Sequence, residues 1–189
     1  NLKLKEHEME MASHYPYVLN MCNPTIDLQS LQGEMKTMGS IGGRVVVHTG
    51  SATQGKTRNC DVNEKNKDQW NIDWKIGADQ LIKYLNKLDY DCGVEYPLML
   101  EPPAGEGKKI LFNLEQIKYV FSQIPKEVGF CLDTCHTFAA GMCKFDTKES
   151  VREFFKDLDD AIGGLHRLKL IHFNDSKNKF KTYKDDHQD

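Results

Sequence analysis

The sequence predicts an α/β fold in which a parallel sheet is covered by helices, and three observations carry that expectation. Short apolar runs alternate with segments of helical spacing, and five such strand–helix units fit the chain. The runs are near-continuous in apolar residues, as strands buried on both faces are. Each run closes on a residue type that binds divalent metal: His14, His48, Glu101, Asp133 and His172. In a parallel α/β barrel the active site is built at the C-terminal ends of the strands, so these five endings would converge on one point.

The strands are expected over Met9–His14, Arg44–His48, Tyr96–Glu101, Val128–Asp133 and Leu168–His172. Between the first two, Ile26, Leu28, Leu31, Met35 and Met38 mark a helix; Ile76, Leu81, Ile82, Leu85 and Leu88 mark a second. A third carries Leu114, Ile117, Val120, Phe121 and Ile124, with Asn113 as N-cap and Gln116 three residues on. The fourth begins at Asp146, where Glu149 completes a capping-box pattern. It carries Val151, Phe154, Phe155, Leu158 and Ile162 and stops at Gly163-Gly164. Thr49–Lys75 breaks the rhythm. It is rich in Asn, Asp, Lys and Gln, with Trp70 and Trp74 near its end, and reads as an insertion within a single domain over 1–189.

Composition narrows the function classes. The 189 residues carry 25 Lys+Arg against 28 Asp+Glu, so bulk charge makes no case for nucleic-acid binding, and any such contact must be local. Lys177, Lys179, Lys181 and Lys184 cluster after the His172 strand, on the face where metals would lie. No 18-residue apolar run and no signal-peptide h-region is present, so an intracellular protein is expected, in cytoplasm, nucleus or the cytoplasm of a virus-infected cell. The six cysteines have neither a disulfide framework nor a CxxC pair and read as reduced thiols.

The five endings have company. His136 follows Asp133 by three residues, which lets both face one side of a strand-to-helix turn. Asp185 and His187 form an Asp-x-His pair that presents both side chains together if extended. His7 and His166 lack such partners and read as surface or helix-end residues. A His and carboxylate set without Cys suits zinc, manganese or iron better than magnesium. More than four candidate ligands imply more than one ion, the arrangement used for phosphoester hydrolysis.

These residues resemble the endonuclease IV class of apurinic/apyrimidinic endonucleases. The most specific match is Gly129-Phe-Cys-Leu-Asp-Thr-Cys-His-Thr-Phe-Ala-Ala-Gly141. His14-Tyr-Pro-Tyr-Val-Leu-Asn20, His48-Thr-Gly-Ser51, Glu101-Pro-Pro-Ala-Gly-Glu-Gly107, His172-Phe-Asn-Asp-Ser-Lys177 and Asp185-Asp-His187 look like the remaining motifs. The resemblance implies a TIM (β/α)8 barrel with three zinc ions, for which manganese is a possible substitute. His14, His48 and Glu101 would hold one ion. Glu101 would bridge to a second, shared with Asp133 and His172, and His136, Asp185 and His187 would hold the third. The reaction implied is cleavage of the phosphodiester 5′ to an abasic site in duplex DNA by a hydroxide that the zinc cluster activates. It leaves a 3′-hydroxyl and a 5′-deoxyribose phosphate. Glu101 would be the catalytic carboxylate, while Tyr17, Val18, Asn20 and Lys177 would contact DNA. A monomer without membrane contact is implied.

The sequence also departs from the family pattern. A full barrel runs to about 250 residues, so an incomplete barrel lacking strands at both ends is expected here. The family's final glutamate ligand has no counterpart; Asp186 stands where Arg is usual and Gln188 where a second His is common. A divalent-metal sugar isomerase of the xylose-isomerase-like barrels is the alternative function. Gly50-Ser-Ala-Thr-Gln-Gly-Lys-Thr57 also fits the P-loop pattern, but the Arg58–Lys67 stretch after it has no apolar period to make the helix a P-loop needs.

Overall fold

The computed structural model describes residues 9–52 and 67–188, with the backbone alone for 67–73. Five strands form one sheet: β1 (Ala12–His14), β2 (Arg44–His48), β3 (Leu98–Glu101), β4 (Val128–Asp133) and β5 (Leu168–His172). Their order across the sheet is their order in the chain, and every pair is parallel. A parallel neighbour requires a crossover, and helices supply each one: α1 (Gln29–Ser40), α2 (Lys67–Leu85), α3 (Leu114–Phe121), then α4 (Thr134–Ala139) with α5 (Lys148–Ile162). A short 3₁₀ turn, Leu165–Arg167, leads into β5. Among the described residues the result is a run of four consecutive strand–helix units of an α/β barrel followed by a fifth strand, where five units were expected.

Residue parity along the strands separates two faces. Val45, Val47, Leu98, Leu100, Val128, Phe130 and Leu132 face the helices and belong to the main core with Leu31, Leu81, Ile117 and Leu158. Val46, Met99, Cys131 and Leu170 form a separate cluster on the inner face. The strand-ending His48, Glu101, Asp133 and His172 lie two residues further along, so they share that inner face above an apolar floor.

Three strands have the expected bounds. β1 and β3 are shorter: Tyr96 takes a positive φ of 53° just before Pro97, which delays the extended conformation until Leu98. α1 starts at Gln29, whose N–H donates to Asp27 Oδ1, leaving Ile26 and Leu28 outside the helix. α3 is capped as expected, with Asn113 Oδ1 accepting from the Gln116 N–H. The α5 cap sits one residue later than expected: Thr147 and Ser150 form the reciprocal box, and Asp146 Oδ1 accepts from the Ser150 hydroxyl instead. Gly163 closes α5 at a φ of 76°, the left-handed conformation that favours glycine.

The polar stretch Thr49–Lys75 also needs correcting. Its last residues, Lys67–Lys75, are the first turns of α2, and Trp74 is buried with its ring edge-to-face on Tyr119 at 5.2 Å. Trp70, Cys60, His7 and the P-loop-like segment from Thr53 onward lie outside the described residues or side chains. The other five cysteines are free and buried, as expected for reduced thiols. No described helix is long and apolar enough to cross a membrane.

Candidate metal centre

The strand ends meet on Glu101. Its carboxylate is buried at 1% exposure and accepts from His14 Nε2 on Oε2 at 2.8 Å and from His172 Nδ1 on Oε1 at 2.9 Å. His48 Nε2 lies 3.6 Å from Oε2, and His136 Nδ1 lies 3.7 Å from Oε1. One carboxylate from β3 thus faces four imidazoles from β1, β2, α4 and β5. Asp133 adds its Oδ1 as N-cap acceptor for the His136 N–H at 2.9 Å, while Oδ2 accepts from Asn174 Nδ2 at 2.6 Å. His172 Nδ1 and His187 Nε2 stand 3.9 and 3.7 Å from that same Oδ2.

Asp185 and His187 reach the site because the chain after β5 folds back on itself. Asp175–Ser176 and His187–Gln188 pair as a small antiparallel ribbon, which carries His187, and Asp185 just before it, back to the strand ends. Asp185 Oδ1 lies 3.2 Å from both His136 Nε2 and His187 Nε2. The His136 approach is close enough to pair charge but is not aligned as a hydrogen bond, so Nε2 counts as a buried nitrogen without a donor–acceptor partner.

The titration behaviour follows from this packing. Burial pushes the Glu101 carboxyl up, but the His172 hydrogen bond and the imidazoles of His48, His172 and His136 more than reverse it and hold it at about 2. Burial draws His48 down to about 4 against the pull of Glu101, which keeps its imidazole neutral and ligand-competent. Burial opposes a charged His136, yet contact with Asp185 and the charges of Asp133, Asp185 and Glu101 raise it to about 8. That contact with His136 in turn holds Asp185 at about 2.

Both ring nitrogens of His48 are buried without a hydrogen-bond partner. An orphaned buried polar atom costs on the order of 1–3 kcal/mol, and a cation shared with Glu101 would relieve it. The donor chemistry fits a divalent ion, and two of the three expected sets lie together: His14, His48 and Glu101 are within 4.8 Å of one another, as are His136, Asp185 and His187, whereas the expected set of Glu101, Asp133 and His172 is not among such groups. Glu101, Asp133 and His136 form a further group.

The set is not free of cysteine, however. Cys131 joins Glu101 and His172 within 4.8 Å, its Sγ 3.8 Å from both His172 ring nitrogens; Cys135 lies likewise beside Asp133 and His187. The readable signal was parity, since Cys131 precedes Asp133 by two and shares its inner strand face. Burial and the nearby charges of Glu101 and Asp133 push the Cys131 thiol well up, so it stands as a neutral neighbour of the carboxylates.

The loops above the cluster place the remaining candidates. Tyr17 stacks on the His48 ring at 4.1 Å and 21°, and Val18 projects beyond it at 91% exposure. Burial, then the charges of Asp185, Glu101, Glu106 and Asp133, push the Tyr17 phenol up and keep it protonated. Lys177 is exposed, with Nζ 3.8 Å from Asp186. Asn20 is placed differently. Its amide is taken up inside the protein: Oδ1 accepts from the Ser51 and Cys22 N–H groups, and Nδ2 donates to Ser51 O. It therefore ties the β1 loop to the β2 loop beside Gly50, where a Cβ would meet its Oδ1 at 2.4 Å. Asn20→Ala removes three hydrogen bonds and is expected to destabilise the chain by about 2 kcal/mol, read from a shifted urea midpoint at unchanged slope.

A family model described as a xylose isomerase-like TIM barrel matches residues 3–189. Among curated relatives, the probable endonuclease 4 of Halothermothrix orenii is 32% identical over 197 residues, covering 99% of this chain and 63% of that protein. The probable endonuclease 4 of Haloarcula marismortui is 30% identical, covering 92% and 57%. The chain thus spans little more than half the length of such relatives. Endonuclease IV from Thermus thermophilus superposes with a TM-score of 0.66 at 26% identity, over 99% of this chain and 61% of that one. AsfvAP:AG, at 18% identity, superposes with a TM-score of 0.68 and speaks for the fold alone. With a match running nearly end to end, the chain belongs to the xylose isomerase-like TIM barrel family, within AP endonuclease family 2.

Proposed function

We propose that this chain forms the zinc-binding part of a DNA-repair endonuclease that hydrolyses the phosphodiester 5′ to abasic sites in duplex DNA, leaving a 3′-hydroxyl and a 5′-deoxyribose phosphate. The observation that carries the proposal is the convergence of His14, His48, Glu101, Asp133, His136, His172, Asp185 and His187 on one patch, from five strand ends, the first turn of α4 and the returning segment after β5. The endonuclease 4 names of its relatives support the same reading.

His14, His48 and Glu101 would hold one zinc, Glu101 with Asp133 and His172 a second, and His136, Asp185 and His187 a third. Bound zinc supplies Lewis-acid charge against the phosphate and lowers the pKa of water. The chain's own residues set the rest. Asn174 fixes the Asp133 carboxylate, and the Pro102 carbonyl, 3.0 Å from His136 Nδ1, fixes that ring so that Nε2 faces Asp185. The Tyr17 phenol, kept protonated, offers a donor at the rim. Val18 supplies an apolar tip beside an abasic sugar, which is inexpensive to extrude because nothing pairs with it. Lys177, with Lys179, Lys181 and Lys184, offers phosphate contacts along the returning segment.

The test is a nicking assay on a duplex carrying one abasic site, with an intact duplex as control, using the full polypeptide loaded with zinc. A single cut 5′ to the lesion, abolished by a chelator and restored by zinc, is expected. Aldose–ketose conversion by a protein that leaves the abasic duplex uncut would replace this reading with the isomerase one.

A further inference from the structure

We propose that Lys109 is a seat for a nucleic-acid backbone phosphate at the mouth of the ligand cluster, its ammonium transferring from Glu106 to the phosphate when DNA binds. The inference rests on the function proposed above. Lys109 sits in the loop after β3, eight residues past Glu101, and its backbone is fixed rather than free. Ser51 and Lys109 form an antiparallel bridge, Ala52 N–H donates to Lys108 O at 2.9 Å, and Ile110 N–H donates to Gly50 O at 3.2 Å. The β2 and β3 loops are thereby zipped together over the strand ends.

This fixed backbone aims the side chain at the site. Lys109 Nζ lies 5.6 Å from the centroid of the Tyr17 ring, which itself stacks on His48. The ammonium is thus one aromatic ring away from a candidate ligand, and its charge reaches both His48 and Asp185. Its counter-ion is Glu106, which holds it in an ion pair. That pair is incompletely satisfied, because Glu106 Oε2 is buried with no hydrogen-bond partner. The lysines after β5 sit differently: Lys177, Lys179, Lys181 and Lys184 are exposed, and Lys177 is paired with Asp186.

A cation that neutralises one phosphate contributes about 0.9 to the slope of log affinity against log salt. Binding of the zinc-loaded full polypeptide is therefore measured between 50 and 200 mM salt, on a duplex with one abasic analogue and a non-hydrolysable 5′ linkage. Lys109→Gln should flatten the slope by about 0.9, so that it loses about 3.5-fold less affinity than the parent over that fourfold rise in salt. Lys109→Arg should keep the parent slope, and Glu106→Gln, which frees the ammonium, should bind more tightly at low salt. If the parent binds and Lys109→Gln keeps the parent slope with an unchanged melting temperature, the seat is refuted while the endonuclease reading stands. If the parent binds neither abasic nor intact duplex, the endonuclease reading fails and the seat with it.

Discussion

Glu101→Gln is expected to reduce abasic-site cleavage by about 10³-fold or more and to lower the bound metal per chain in the same preparation. The carboxylate is the point where four imidazoles meet, with contacts to His14 and His172 at 2.8 and 2.9 Å and to His48 and His136 at 3.6 and 3.7 Å. An amide keeps the volume and one acceptor oxygen but carries no charge, so it would hold a divalent cation less tightly. Metal-based charge stabilisation is worth several kcal/mol, and each 1.36 kcal/mol is about tenfold in rate. The substitution also turns one oxygen into a nitrogen donor facing ring nitrogens that lie against it. Metal analysis with a cleavage time course checks both halves; full metal content with unimpaired cleavage would remove Glu101 from the centre. A cleavage loss without metal loss would instead place it on the reaction path alone.

Metal affinity should also fall as pH drops, with a sense fixed by the ligands. His136 titrates near 8 in the folded chain, raised by Asp185, Asp133 and Glu101 against burial, so protons compete for it at neutral pH. His48, held near 4 by burial, offers a free nitrogen across the same range. The expected result is proton release on zinc binding near pH 7, seen as a calorimetric enthalpy that varies with the ionisation enthalpy of the buffer; buffer-independent binding would contradict it.

The strand ends were legible because one property serves two purposes. A near-continuous apolar run must stop somewhere, and here it stops on the polar residue that turns into the cluster, so Arg44–His48, Val128–Asp133 and Leu168–His172 were readable to the residue. Helix starts were less legible. Asp146 and Thr147 are both good caps, and the choice falls to Thr147 through the reciprocal bond with Ser150, which no local pattern ranks above Glu149. The first turns of α2 carry too few apolar residues for a period to show, and packing of Trp74 against Tyr119 supplies what propensity does not. Lys109 was invisible for a different reason. Its place beside Tyr17 depends on two loops zipped across about sixty residues of sequence, whereas the lysines after His172 drew notice by clustering locally.

Arg167→Met is expected to destabilise the chain by about 4 kcal/mol, although the residue touches no candidate ligand. Its guanidinium is 4% exposed and has no carboxylate partner among the described contacts. It donates to four carbonyls instead: Nε to Val128 O at 2.9 Å, Nη2 to Pro125 O at 2.8 Å, and Nη1 to Ile162 O at 3.2 Å and Phe121 O at 3.4 Å. Phe121 and Ile162 are the last residues of α3 and α5, whose C-terminal carbonyls have no helical donors and carry the negative ends of the helix dipoles. The cation also lies 4.6 Å from the Phe121 ring centroid. Replacing a buried ion pair with apolar residues is often neutral because both charges leave together. Here only the cation leaves: Pro125 O keeps the Val128 N–H at 3.2 Å, but the Phe121 and Ile162 carbonyls at the helix ends lose the Arg167 donor, so desolvation outweighs the regained apolar contact. At roughly 2–4 °C per kcal/mol for a chain of this size, the melting temperature should fall by about 8–16 °C. A loss below about 1 kcal/mol would show that water or backbone shifts replace the donors. The consequence reaches the site through β4 and β5. Arg167 joins the start of β4 to the turn before β5, and those strands end on Asp133 and His172, paired in register. A loosened clasp should therefore weaken zinc binding as well as folding, while Arg167→Lys, which keeps the charge but not the fork of donors, should fall between the two.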